Sequence, residues 1–423
     1  MEKILFILPE LRLIRFVFPV FLLLLLFPSG AGAQEAAQEA AGQVFYFRHR
    51  AGDRHRVLST VRQNVFVNRR LSHSAEILNR ISVEVVSVSE EGEGRHRAVF
   101  QTSERSLSHV RSDRSFQWAR EYETDFLRDR RGRLTIDEKF FMPVVRNIPV
   151  LPERALRPGD SWFYHGHEVH DFRDSFGIPE PYRIPFTAFY TFLGERPWNG
   201  VMYPAFSVRY TIFTSPPAVR GRMYPRRIVA ETDMVVFWDP DFGQPVAYTQ
   251  TFNFIFELST GDTIEFRGTA EAEIIESEQM DRERIAGEIA DVISSLNMEG
   301  VTVRVADEGV VISLDNIQFY ADTDIMLPGE LEKLDTIVEI LRKYQERDIL
   351  VGGHTALAGT AEGRQRLSVA RAAAVADFII ARNARAPDRV VVRGYGAERP
   401  VADNATEEGR RRNRRVEIII LEN

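Results

Sequence analysis

Between residues 43 and 277 apolar side chains recur at every second position. In the clearest run Tyr248, Phe252, Phe254, Phe256 and Leu258 share one phase, with Thr249, Thr251, Asn253 and Glu257 between them. A turn at Ser259-Thr260-Gly261-Asp262 follows. Beyond it Ile264, Phe266, Ala270, Ala272 and Ile274 alternate with Glu265, Arg267, Thr269, Glu271 and Glu273. A strict period of two predicts strands with one buried face, here joined as a hairpin. Rougher alternation marks 81–88, 206–212 and 228–238. The expectation is an all-β antiparallel meander with one apolar face. Residues 104–190, crowded with Arg, Asp, Glu and Pro, read as long excursions between strands.

The period then changes. Ile285, Ile289, Val292, Ile293 and Leu296 recur at three and four residues, which predicts an amphipathic helix over 281–296, placed here in a linker at 278–300 between two domains. Strands are expected at 301–305 and 310–314, a helix from Pro328 burying Leu331, Leu334, Val338 and Leu341, and a buried strand at 349–351. A second helix over 365–381 should bury Leu367, Ala370, Ala374, Val375 and Phe378. Strands at 390–393 and 416–421 complete the region. Helices alternating with strands on one sheet predict an α+β two-layer sandwich at 301–423, making the chain multidomain.

Length agrees with that division, since 423 residues suit two or three domains. At the N-terminus Lys3, Arg12 and Arg15 surround or precede an apolar run at 16–27, and Ala31-Gly32-Ala33 follows. This order is that of a secretory signal peptide at 1–33, an uncleaved anchor being the competing reading. An Ala/Gln/Glu tether occupies 34–42. No cysteine is present, so disulfides, thiolate chemistry and a lipidated Cys are excluded. A net charge of −7 argues against a general nucleic-acid partner. The chain also has no Gly-x-Ser-x-Gly elbow, phosphate loop or cofactor motif, so a non-catalytic protein without cofactor is expected.

Small, polar and basic residues are spaced in a specific order towards the C-terminus. They run Gly353-His354-Thr355, then Leu367-Ser368-Val369-Ala370-Arg371-Ala372, then Gly409-Arg410 and Asn413-Arg414-Arg415-Val416-Glu417. The series resembles the OmpA-like C-terminal domain, a family that binds the peptide stems of peptidoglycan. The resemblance covers roughly 300–423; residues 43–277 resemble no family. It implies a pocket beside the second helix that clamps diaminopimelate. In it Arg371, the Arg of Leu-Ser-x-x-Arg, would meet the ligand carboxylate through a charge-assisted fork. Thr355, Leu367, Ser368 and Arg415 are carried over to the same ligand site. Two positions depart from the family: Ala356 stands where an Asp would meet the ammonium, and Arg364 replaces an Asn. Three explanations stay open: a pocket re-tuned to another diamino acid, Glu362 supplying the carboxylate, or a retained fold that has lost its ligand.

The resemblance further implies structural roles for Gly394 and Gly396 in a tight loop and for Asn413 in bonding the loop backbone. The arginines at 410–412 and 414–415 would pair with acids, line the ligand side or touch anionic lipid. Elsewhere His165, His167 and His170 form a candidate metal cluster, weighed against a solvated strand edge and turn. The expected protein is periplasmic, associated with the cell wall or outer membrane. It binds peptidoglycan or a related wall polymer and tethers a β-rich domain whose partner is an envelope protein, a lipid or a glycan. The alternatives are an outer-membrane β-barrel over 43–277 with a wall-binding tail, and a protein-interaction scaffold that has lost wall binding.

Overall fold

A computed structural model describes residues 42–107, 115–218, 223–276, 280–306, 308–315, 317, 319–320 and 325–421. The signal peptide expected at 1–33 and the expected tether up to residue 41 lie outside the described residues. The chain divides into two compact units: the first covers residues up to 276 except 103–105 and 115–119, which group with 277 onward in the second.

The first unit is built from long antiparallel strands. They are β1 (Arg54–Val67), β2 (Arg70–Val88), β3 (Gly94–Ser106), β4 (Phe116–Arg128), β5 (Leu134–Ile136), β6 (Val145–Arg146), β7 (Ser161–His170), β8 (Tyr182–Trp198), β9 (Val201–Thr214), β10 (Pro225–Asp239), β11 (Gln244–Leu258) and β12 (Thr263–Glu276). A short helix α1 (Arg173–Phe176) follows β7. Pairing runs β6-β7-β8-β9-β10-β11-β12-β1-β2, so the first strand closes against the last. Side-chain bonds place β3 beside β2 (Thr102 Oγ1 to Asn79 Oδ1, 3.0 Å) and β4 beside β3 (Arg95 Nη2 to Asp125 Oδ2, 2.9 Å). The predicted hairpin is β11–β12, with Phe254 opposite Phe266 and Phe256 opposite Ile264. Residues 104–190, expected as long excursions, hold all of β4 to β7 and the start of β8.

Alternation decides what is buried. Phe252, Phe254, Phe256, Leu258, Ile264 and Phe266 enter one core, and the opposite phase carries charge. Arg209 pairs with Asp233 at 2.5 Å, Arg227 with Glu257 at 3.3 Å and Arg267 with Glu265 at 2.5 Å, each arginine being 44–64% exposed. Apolar inside and ion-paired outside is the reverse of a membrane barrel, where an arginine facing mid-bilayer lipid costs about 2–4 kcal/mol. Those exposed ion pairs weigh against the outer-membrane barrel reading, whereas Phe163, Phe189 and Phe213 also face outward.

The second unit holds α2 (Arg282–Ser295), β13 (Val301–Ala306), β14 (Gly309–Asp315), α3 (Pro328–Arg342), β15 (Ile349–Gly353), α4 (Ala361–Ala381), β16 (Val390–Gly394), α5 (Glu407–Asn413) and β17 (Arg415–Leu421). Strand order is β13-β14-β17-β15-β16, with only β15–β16 parallel. Val310, Ile312, Val351, Val392, Ile418 and Ile420 share one core with the helices, and Val311, Leu350, Val391 and Ile419 face the other way. Residues 115–119 at the start of β4 group with this unit, and Phe116 and Gln117 pair in parallel with Val391 and Val392.

Two expectations change here. Helix α2, drawn as a linker, puts Ile285, Ile289 and Ile293 into the second unit's core; its apolar stripe needs a surface to cover. Helix α4 is turned from the expected face, burying Ser368, Ala372, Val375, Ala376 and Ile379. The cause is close approach. Gly353 and Gly394 are register partners on β15 and β16. A Cβ on Gly353 would lie 2.0 Å from the Ser368 carbonyl oxygen, and one on Gly394 would lie 2.5 Å from Ser368 Oγ. Only the small side of α4 fits over that glycine strip, which leaves Leu367 and Phe378 partly exposed at its margins.

Candidate ligand site at the ends of β15 and β16

The loops that follow β15 and β16 are tied to each other and to α4. Tyr395 donates its backbone N–H to the Gly353 carbonyl at 2.9 Å, and Thr355 donates to Gly396 at 2.8 Å. Gly396, at φ +51°, makes the turn. Its N–H donates to Ser368 Oγ at 3.0 Å, and that hydroxyl donates to the Gln365 carbonyl at 2.8 Å. Gln365 Nε2 donates to the Gly394 carbonyl at 3.0 Å. Helix α4 starts from Thr360, whose Oγ1 accepts from Gly363 N–H at 3.1 Å. The sequence reading gave Gly394 a tight turn; it is instead the last strand residue, required by the helix against it.

The expected site residues divide by what they touch. Ser368 is fully buried and spent on the bonds just described. Arg415, 4% exposed, donates Nε to Glu417 Oε1 at 2.9 Å and Nη1 to the Arg399 carbonyl at 3.2 Å. Glu417 also lies 3.4 Å from His354 Nε2. Burial works against the Glu417 charge, but His354 and Arg415 outweigh it and hold the carboxyl at about 2. Burial pushes the His354 pKa down, against the pull of Glu417, and the ring stacks on Tyr395 at 4.7 Å. Arg415 and Ser368 therefore hold the frame.

Arg364, Leu367 and Arg371 are partly exposed on α4, whereas Thr355 and Ala356 are buried in the loop. Thr355 is 7% exposed and its Oγ1 has no hydrogen-bond partner. Ala356 is buried and presents a methyl where a carboxylate was expected. Arg364 Nη1 donates to the Gly359 carbonyl at 2.6 Å, bracing the loop from the first turn of α4. Two turns further along, the Arg371 guanidinium lies 4.8 Å over the Phe319 ring. Phe319 gave no signal in the sequence, because it stands outside any regular element. Glu362 occupies the first turn of α4, with its side chain 90% exposed and 3.8 Å from Arg366. That position is on the outside of the helix start, not in the loop with Ala356.

The C-terminal arginines are neutralised in place. Arg410 and Arg414 both bond Glu407, and only Arg411 and Arg412 face solvent fully. The segment 407–413, expected as loop, is helix α5, capped by Thr406 Oγ1 on Gly409 N–H at 2.9 Å. Asn413 closes the preceding loop as expected: Oδ1 accepts from Val401 N at 2.8 Å and Ala402 N at 3.0 Å, and Nδ2 donates to the Ala402 carbonyl.

The three histidines do not converge. His165 bonds Thr187 Oγ1 at 3.1 Å on an exposed face, while His170 is buried in the opposite phase on Glu168 Oε2 at 2.7 Å. His167 is pushed down to about 4 by burial and by Arg146 and Arg183. Among the described residues no group of three His, Cys, Asp or Glu is arranged to hold a metal.

Residues 318–414 match the OmpA family. The C-terminal region is an OmpA-family domain. It is 37% identical over 111 residues to outer membrane porin F of Pseudomonas fluorescens, covering 26% of this chain and 33% of the relative. It is 36% identical over 104 residues to peptidoglycan-binding protein ArfA of Mycobacterium tuberculosis, covering 25% and 32%. Among solved structures, the cell wall anchor of the T6SS from Pseudomonas aeruginosa is 33% identical, with 33% of this chain and 99% of that one covered at a TM-score of 0.29. The chain spans about a third of the length of these curated relatives.

Proposed function

We propose that the OmpA-family domain, a two-layer α+β sandwich, binds peptidoglycan or a related wall polymer. In doing so it tethers the β-rich unit within the periplasm of an exported, non-catalytic envelope protein. The observation that carries the reading is Arg371, placed on α4 one turn beyond the loop contacts and matched by position to the arginine the resemblance assigns to the ligand carboxylate. Thr355 adds a buried hydroxyl with no hydrogen-bond partner at the same loop. A relative named for peptidoglycan binding supports the ligand class.

Ala356 sets the selectivity of this reading. A methyl group gives a ligand ammonium no counter-charge, and Glu362 faces solvent beside Arg366. The site is therefore expected to hold a stem peptide chiefly by its carboxylate. Sedimentation of the chain with purified sacculi tests this. An arginine–carboxylate fork is worth about 1.5–3 kcal/mol, so Arg371→Ala should weaken binding roughly 10- to 150-fold. Ala356→Asp should strengthen binding to diaminopimelate-containing sacculi. If neither the parent chain nor Ala356→Asp sediments with any sacculus, the wall-binding reading is wrong and the domain has kept only its fold.

A further inference from the structure

The alternation that builds the first unit is broken on its inner face at four places. In β11 the apolar phase reads Tyr248, Gln250, Phe252, Phe254; in β3 it reads His96, Ala98, Phe100; in β4 it ends Phe126, Arg128; and β2 contributes Asn79 ahead of Ile81. These polar residues line one cavity of about 270 Å³. Its remaining walls are largely apolar, including Val57, Ile81, Phe100, Met234 and Val236, with the segment 142–149 over them.

The four residues that break the alternation each carry a polar atom without a partner. Gln250 is fully buried and neither amide atom is bonded. His96 is 3% exposed, stacked on Phe126 at 5.1 Å, and neither ring nitrogen is bonded. Burial, followed by the charge of Arg128, pushes its pKa down to about 2, so the ring is neutral and offers one donor and one acceptor. Asn79 accepts from Thr102 but its Nδ2 is unpaired. Arg128 has a buried Nε without a partner; its guanidinium lies 5.1 Å from the Phe47 ring and 5.5 Å from that of Phe126. Among the described residues no carboxylate pairs with it. Glu273, the acid at the cavity rim, accepts from Asn199 Nδ2 at 2.6 Å.

Unpaired buried amides are costly unless something completes them, and the half-buried Arg128 cation beside them has a buried, unpartnered Nε. We infer that the β-rich unit binds a single aliphatic chain carrying a carboxylate, with the head at Arg128, His96 and the neighbouring amides and the tail along the apolar lining. The cation sets the sign of the head. A cavity of about 270 Å³ with largely apolar walls suits one aliphatic tail. This inference stands on the first unit alone and is independent of wall binding.

Calorimetric titration of the full chain with decanoate, decanol, decyl phosphate and decyltrimethylammonium, each below its micellar range, tests it. Decanoate should bind one per chain, at least about tenfold tighter than decanol, with the ammonium weakest. Arg128→Met, which keeps a long apolar stem beside Phe47 and Phe126, should bring decanoate down to the affinity of decanol while decanol itself still binds. Retained decanol binding shows that the variant is folded; if it is lost, Gln250→Leu serves as the second variant and should cost decanoate more than decanol. No saturable decanoate binding, equal binding of the ammonium, tighter binding of decyl phosphate, or an undiminished preference in Arg128→Met would each overturn the assignment.

Discussion

Glu168 is fully buried in the first unit and is held by two bonds: Tyr210 Oη donates at 2.7 Å to Oε1, and His170 Nε2 lies 2.7 Å from Oε2. Burial, reinforced by the adjacent carboxylate, raises the Tyr210 pKa well above its usual value, so the phenol stays a donor. Tyr210→Phe removes that donor and little else. The ring, 2% exposed and stacked 4.0 Å from Phe186, keeps its place. A hydrogen bond to a charged group contributes about 1.5–3 kcal/mol, and the stranded Oε1 faces an apolar core, so the loss should be about 2–3 kcal/mol. For a unit of this size that lowers Tm by roughly 4–12 °C. Urea unfolding followed by tryptophan fluorescence reads it, since Trp162, Trp198 and Trp238 all lie in this unit. The midpoint should fall with the slope unchanged. In a Glu168→Gln background the same substitution should cost under about 1 kcal/mol. A loss below about 0.5 kcal/mol in the parent chain would refute the account, because it would mean that water replaces the phenol at no cost.

In the OmpA-family domain, Gly353→Ala should cost at least about 3 kcal/mol, because its Cβ would meet a helix carbonyl oxygen at 2.0 Å and neither backbone can yield cheaply; differential scanning calorimetry of that transition checks it. Asn413→Ala strands two N–H groups and one carbonyl, and with partial rescue by water a loss of about 2–3 kcal/mol is expected in urea melts, with proteolysis opening first at 401–402. Glu417 sits at about 2 against an unfolded value near 4.5, so its contribution is complete above about 4.5 and is lost as pH falls from there towards 2. At about 1.4 kcal/mol per pH unit this is about 3 kcal/mol, and Glu417→Gln should flatten the acid limb of the stability curve by that amount. An unchanged limb would assign the acid sensitivity to other carboxylates.

The alternation around Phe254 and Phe266 made the hairpin legible, and the three-and-four spacing made α2, α3 and α4 legible, because period alone selects which side chains share a face. The same rule misplaced the buried side of α4. Periodicity ranks faces by hydrophobicity, and here the smaller face won, since Gly353 and Gly394 let the helix backbone sit on the strands. Ser368 and Arg415 matched a binding motif by order in the chain, yet one is spent on Gly396 and the other on Glu417. Motif position cannot separate a residue that faces a ligand from one that holds the loop which does.

What the chain determined by itself was local: strands by their period of two, helices by their caps and stripes, and the place of Arg371 in a spaced series. Tertiary structure decided what those local choices could not. Gln250, His96 and Arg128 are distant in sequence and unremarkable singly, since one polar residue in an apolar phase is tolerated wherever water reaches it. Strands from both ends of the first unit bring them to one cavity, where atoms of each are left without a hydrogen-bond partner. Burial is a property of the assembled sheet, and the cost of an unpaired polar atom exists only once the sheet has closed over it.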